Sequence, residues 1–433
     1  MSLPKIYQLS ILILFITQGI LMSATLKEIQ NNNTTIPVIF EKNNNLPIFN
    51  LQLVFQNSGY INDKKKIGIT NLTAKILNEG TKKDGAISYA RDLENNAISI
   101  DASTGFETFV IEITCLKSEY KLALKYLNKL LKDPNITQNT LDKIKLLEIS
   151  KLQQKENDFD YLASKNLKKL QYKGTALEYT SKGEIKHIEK ITLTNIQKKL
   201  SNILNLDNLI IVVGGDLNFK SFKNDIKDTL NFFKPQGKSY LNKIAISEKI
   251  KEDLILKDTE QSYIYFSSPF NINYDSKDSY KAKVASFILG GSGFGSRLME
   301  EIRVKNGLAY SAYGNITNNK SHSHFTGYLQ TKLDNTQKAK AMVNKIVKEF
   351  VESGVTKKEL QSAKNFLLGS EPLRTETFSQ RLNRAFHLYY KNLPFDYPKQ
   401  ELEKINSLTV DELNTFIQKH KEINQLTFSI VTK

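Results

Sequence analysis

The chain has 433 residues, 40% of them apolar and 24% charged, a balance that excludes a disordered polypeptide and leaves room for two or three domains. Its net charge of +16 would suit nucleic acid or an anionic surface. The lysines, however, are scattered beside asparagines and on polar helix faces, with no compact basic run interleaved with aromatics, so they read as solvated faces and no nucleic-acid partner is expected.

Residues 1–24 read as a secretory signal. Lys5 supplies a weak positive start, Leu9 to Leu14 with Phe15, Ile16, Ile20, Leu21 and Met22 form the apolar segment, and Ser23 and Ala24 suit cleavage. The run falls short of the roughly 20 apolar residues that span a bilayer, and no later segment approaches that length. The expectation is an exported, periplasmic protein without stable membrane insertion; an uncleaved anchor stays open. Cys115 is the only cysteine, so no internal disulfide can form. It shares a strand face with Phe109, Ile111 and Ile113 and reads as a core thiol.

After the signal, strands are predicted at 36–40 and 51–55 across an Asn-rich turn at 43–45. Helices follow at 67–77, closed by Gly80, and at 86–95. Two strands are predicted at 97–102 and 108–116, then helices at 119–131, 140–155 and 161–170. Residues 190–214 run from a helix into an apolar strand, and residues 404–431 repeat that order with similar residues, which argues for an internal duplication. The second copy places strands at 262–267, 308–316 and 325–331, and helices at 279–289, 336–353, 356–368 and 376–390. The fold class is therefore α+β: two similar tandem domains, each an antiparallel-rich sheet covered by helices on one face. The domains are placed at 25–235 and 254–433, with a linker at 236–253 that contains Gly237.

The most informative stretch runs from Leu289 to Gly314. Gly290, Gly291, Gly293 and Gly295 form a turn, and Ser296 caps a short helix with Leu298, Met299 and Ile302 on one side. Gly307 ends the helix and a strand begins near Leu308, so Arg303 closes the helix and Tyr310 opens the strand. No Gly-Lys-Ser/Thr follows and the glycine spacing is not that of a dinucleotide site, so a phosphate cradle is disfavoured. By composition alone this is a helix–strand connection with a salt-bridged Arg and a packed Tyr.

The whole string resembles the C-terminal signature of the pitrilysin/insulinase family of zinc metallopeptidases, which includes the mitochondrial processing peptidase. There the pattern is Leu-Gly-Gly, a small-residue turn, Ser-Arg-Leu, an Arg, then Gly-Leu-Ala-Tyr and Ser. The resemblance continues through residues 354–360, at Ala363-Lys364, at 393–397 and at 408–413. It implies a zinc motif, His-x-x-Glu-His, on a helix of the first half, with both His on zinc and the Glu as general base. The matching positions here hold Asn71, Ala74 and Lys75. A neutral amide is a poor zinc ligand, an ammonium repels the metal, and Ala takes no proton. The third ligand matches Glu148. Of the five histidines, His322 and His324 could share a strand face, but such a pair reads more readily as a polar strand end than as a metal site. No metal is expected in this chain.

The resemblance further implies that Arg303 and Tyr310 are catalytic residues. They would hydrogen-bond the substrate carbonyl across a closed chamber, beside a substrate loop at Gly290, Gly291 and Gly293. Loss of such an oxyanion donor costs about 10²–10³ in rate. It also implies that some members divide the work between two chains. The expected function is then the non-zinc subunit of a two-chain metallopeptidase acting on periplasmic peptides or proteins, inactive alone, with the zinc in its partner. That partner would be a zinc-bearing subunit in a heterodimer, or a second copy by self-association. The alternative is a catalytically inactive peptide-binding or scaffold protein of the same fold.

Overall fold

The computed structural model describes residues 24–433. The expected signal, but for Ala24, lies outside the described residues. Two sheets organise the rest. The first contains β1 (Thr25–Asn31), β2 (Thr34–Lys42), β3 (Ile48–Gln56), β4 (Ser99–Thr104), β5 (Thr108–Leu116) and β6 (Leu209–Gly215), in the order β1-β2-β6-β3-β5-β4. The second contains β7 (Glu252–Leu256), β8 (Gln261–Pro269), β9 (Ala309–Asn318), β10 (Ser323–Lys332) and β11 (Thr427–Thr432), in the order β7-β11-β8-β10-β9.

The two orders coincide once β1 is set aside. β6 runs parallel to β2 and antiparallel to β3, just as β11 runs parallel to β7 and antiparallel to β8. β4 and β9 are the matching edge strands. The helices that feed β6 and β11 start alike. At Leu193–Ile203 the Thr192 hydroxyl and the Asn195 side chain satisfy each other's backbone N–H groups, and at Val410–Lys419 Thr409 and Glu412 do the same. Such reciprocal caps fix a helix start where its first N–H groups have no partner.

Each sheet carries helices of its own repeat on one face, as expected, and its second face is covered by a helix of the other repeat. Helix Phe378–Tyr390 lays Phe378, Leu382, Ala385 and Phe386 on Ile39, Val54, Ile210 and Val212 of the first sheet. Helix Phe159–Tyr172, its counterpart, lies on β8 and β11 of the second. Apolar residues on both faces of β6 require this, since either face left wet would expose them, whereas the second face of β3 mixes Val54 with Asn50 and Gln52. Polar pairs fix the crossing. Arg381 Nε lies 2.7 Å from Glu41 Oε1, Gln52 Nε2 donates to Asn383 Oδ1 at 3.2 Å, and Asn166 Nδ2 donates to Ser429 Oγ at 3.0 Å.

β1 and β7 are not among the predicted strands. Each is an exposed edge strand, and neither alternates cleanly between apolar and polar residues. Among the described residues, no helix is long and apolar enough to cross a membrane.

Candidate functional site

The helix that carries Asn71, Ala74 and Lys75 spans Ile69–Leu77. Gly68 precedes it at φ 90°, and a Cβ there would lie 2.8 Å from the Lys182 carbonyl oxygen, so only glycine fits the entry. The Asp63 carboxylate accepts the Gly68 N–H at 3.0 Å and the Thr70 hydroxyl, which anchors the first turn. Asn71 and Lys75 are four residues apart and therefore share a face. They meet Glu148 on helix Gln138–Gln154.

Glu148 is 1% exposed and surrounded by nitrogen. Lys75 Nζ and Lys151 Nζ each lie 3.3 Å from its Oε1, and Asn71 Nδ2 donates to its Oε2 at 3.4 Å. Two ammonium groups compensate the charge of this buried carboxylate. Zinc requires lone pairs, and here Lys75 and Asn71 present N–H donors instead. Ala74 is buried and offers no base. These residues do not fit zinc. Among the described residues, no group of three or more His, Cys, Asp or Glu could hold a metal ion. His322 and His324 stack ring on ring at 5.3 Å, and Ser321 Oγ lies 2.9 Å from His322 Nδ1. Burial pushes the Cys115 thiol up to about 12, so it is inert.

The second constellation lies at the edge of the other sheet. Ser296 Oγ accepts the Met299 N–H at 3.4 Å and starts helix Arg297–Met299, which continues as a π-helical segment at Glu300–Lys305. Such segments are rare and gather at functional sites. The salt-bridged arginine is Arg297, whose Nη2 lies 2.9 Å from Glu359 Oε2 and 2.6 Å from the Gly354 carbonyl oxygen. Arg303 has no ion pair among the described residues. Its guanidinium lies 4.5 Å from the centre of the Tyr310 ring and 4.8 Å from that of Phe294. Tyr310 is 81% exposed. A β-bulge aims it outward: Ala312 pairs with Leu329 and Ala309 with Thr331, so Tyr310 and Ser311 together face Gln330. Composition alone suggested a salt-bridged Arg303 and a packed Tyr310; the structure has neither.

The glycine turn has a packing reason. A Cβ on Gly290 would lie 2.5 Å from the Gly314 backbone nitrogen, so the turn and β9 meet backbone to backbone. Gly293 has φ 65°. Gly290 and Gly291 also line a cavity of about 590 Å3 against the face of the second sheet. Sequence reasoning missed Lys151, although its spacing of three from Glu148 on one helix could have revealed it. It also missed Phe294, whose stacking on Arg303 has no local pattern.

The fold and this site define a metallopeptidase architecture with its metal ligands replaced. The chain belongs to the insulinase family. Residues 38–183 match the family model described as Insulinase (Peptidase family M16), and residues 190–367 match the one described as Peptidase M16 inactive domain. A Helicobacter pylori protein described as a non-peptidase homolog, YmxG, is 44% identical over 95% of both chains. A Bacillus subtilis protein described as an uncharacterized zinc protease is 23% identical over 73% of this chain and 76% of its own length. Among solved structures, a peptidase M16 inactive domain from Pseudomonas fluorescens superposes with a TM-score of 0.85 at 24% identity, covering 94% of this chain and 98% of that one. The periplasmic protease PqqL from Escherichia coli superposes with a TM-score of 0.76 at 10% identity, covering all of this chain and 51% of that one. At these identities the two structures show the fold alone.

Proposed function

We propose that this chain is an exported, non-hydrolytic member of the insulinase family that binds peptides without cleaving them. The observation that carries this reading is Lys75 at 3.3 Å from Glu148, which replaces a metal's charge with that of a side chain. The H. pylori relative, described as a non-peptidase homolog, supports it. Peptide binding rests on two of the four sheet edges, β4 and β9. β4 and β9 each pair on one side only, and an extended peptide can add to such an edge through main-chain hydrogen bonds. At β4 the Asn78 side chain already takes the Ala102 N–H at 2.7 Å and its carbonyl at 3.0 Å, which limits the edge open to a peptide. We place the domain boundaries at 25–235 and 254–433, with the linker at 236–253. Export rests on the residue pattern of 1–24.

A second reading is favoured by Arg303. A guanidinium held between two rings, with no carboxylate on it, is suited to meet charge that arrives from outside. On this reading Arg303 and Tyr310 complete the active site of a zinc-bearing partner. One experiment separates the two. The mature chain is purified alone and, separately, with whatever chain is retained on it from its native host, and cleavage of an unfolded peptide is followed by mass spectrometry. Peptide retention with no cleavage in either sample supports the first reading. Chelator-sensitive cleavage by the paired sample only supports the second. Chelator-sensitive cleavage by the chain alone overturns both.

A further inference from the structure

The two interfaces between the repeats are topologically equivalent but differently filled. Under helix Phe378–Tyr390 the first sheet is sealed by apolar side chains. Under helix Phe159–Tyr172 the second sheet is left with the cavity of about 590 Å3. One wall is the sheet face, where the Tyr265 and Tyr328 rings stack at 5.4 Å. The opposite wall is the helix, which presents Lys168, Gln171 and Tyr172.

That second wall consists of donors without acceptors. Gln171 is 3% exposed and Tyr172 4%, yet among the described residues Gln171 Nε2 and Tyr172 Oη have no hydrogen-bond partner, and neither does His324 Nδ1 beside them. Lys168 has no ion pair or hydrogen bond among the described residues. Burial holds its pKa below the ordinary lysine value. No Asp or Glu lines the cavity. Two carboxylates that bond residues beside or lining the cavity are already occupied: Asp160 takes the Tyr265 hydroxyl at 3.1 Å and Gln330 Nε2 at 2.8 Å, and Glu107 takes the Ser321 N–H at 2.9 Å. Lys168 is half-buried, and a cation partly withdrawn from water with no partner either pairs or marks a site whose partner is a ligand.

We propose that this cavity binds a carboxylate group of a peptide, with the Lys168 ammonium as its counter-ion. The aromatic walls accommodate the side chain that accompanies the carboxylate. A single negative charge suits the site better than a phosphate dianion. His322 and His324 are pushed down to about 4 and about 3 by burial, so they are neutral at pH 7 and add no second charge. The proposal takes the source of the carboxylate from the peptide-binding reading; the chemistry of the cavity does not depend on it.

The test is isothermal titration of the full mature chain with three small ligands: N-acetyltyrosine, N-acetyltyrosinamide, and the α-amide of N-acetylglutamate. N-acetyltyrosine is expected to bind about tenfold more tightly than its amide, the worth of one charge-assisted contact. Tighter binding of the glutamate amide would move the source to an acidic side chain and leave the site standing. Lys168→Gln should abolish the preference for a carboxylate. Lys168→Gln should melt no lower than the parent, because it removes a desolvated charge that nothing in the fold compensates. The proposal is overturned if no ligand binds, if all three bind alike, if Lys168→Gln keeps the preference, or if that variant is markedly destabilised. The broader peptide reading fails separately, if N-acetyltyrosine binds while extended peptides are not retained.

Discussion

Lys75 Nζ sits 3.3 Å from Oε1 of Glu148, a carboxylate only 1% exposed, and so an ammonium stands beside the acid that the family resemblance matches to a third zinc ligand. Lys151 makes a second contact of the same length. The exchange keeps the buried carboxylate paired while removing the Lewis acid. The result is a buried ion-pair network.

The first prediction follows from that exchange. The purified mature chain should carry no stoichiometric zinc by elemental analysis. The triple replacement Asn71→His, Ala74→Glu, Lys75→His should create a site that binds about one zinc per chain, because two imidazoles then face Glu148 from adjacent turns. The single change Lys75→Ala should destabilise the fold by about 1–2 kcal/mol in urea titration, since Glu148 loses one of its two cations. Zinc bound tightly to the unmodified chain would contradict the assignment.

Arg303 and Tyr310 can be removed without harm to the fold. Tyr310 is 81% exposed and Arg303 touches only ring faces among the interactions described, so Tyr310→Phe and Arg303→Ala should each change stability by no more than about 0.5 kcal/mol. If a paired sample cleaves peptide, each change should lower its kcat by about 10² or more, because the charge they meet exists only in the transition state. An unchanged kcat in both variants would assign the pair to packing.

Arg381 and Glu41 tie the two repeats together. Glu41 is 2% exposed, and burial, the larger effect, raises its pKa while Arg381 lowers it. Arg381→Ala should therefore cost about 2–4 kcal/mol at pH 7, since it strands a buried carboxylate. The loss relative to the parent should be smaller at pH 5. The stranded acid has a folded-state pKa raised further above its unfolded value, so the folded state takes up the proton first as pH falls and recovers stability. Urea titrations at the two pH values measure the difference; an equal loss at both would show that Glu41 does not titrate there.

His322 and His324 should make the interface acid-sensitive. Burial pushes them down to about 4 and about 3 from an unfolded value of 6.5, with Glu107 and Lys168 as the charged groups acting on them. The unfolded chain therefore binds more protons between pH 6.5 and those values. Stability present above pH 6.5 is lost as pH falls through that window, by up to about 1.4 kcal/mol per pH unit for each site. His324→Phe keeps an aromatic ring against Tyr172 and should flatten the slope. Parallel slopes for parent and variant would rule out His324 as the source.

The repeat, the two sheets and the missing zinc ligands were legible from the chain alone, because each rests on a local pattern. Thr192 and Thr409 announce helix starts by spacing to a side chain three residues on. Asn71, Ala74 and Lys75 speak through their own chemistry, whatever surrounds them. Nothing local marks which arginine of the 289–314 stretch is paired. Arg297 and Arg303 look alike in sequence, and only the approach of Glu359, 62 residues beyond Arg297, separates them. The same holds for the crossing of the repeats, where Gln52 meets Asn383 across 331 residues. Sequence by itself determined the family, the duplication and the absence of the zinc motif. The tertiary structure alone decided that Lys75 neutralises Glu148, that each sheet is closed by the other repeat's helix, and that Lys168 faces a cavity without a counter-ion. The reason is physical: propensity, capping and periodicity act over a few residues, whereas ion pairing and burial depend on which distant surfaces the fold brings within a few ångströms.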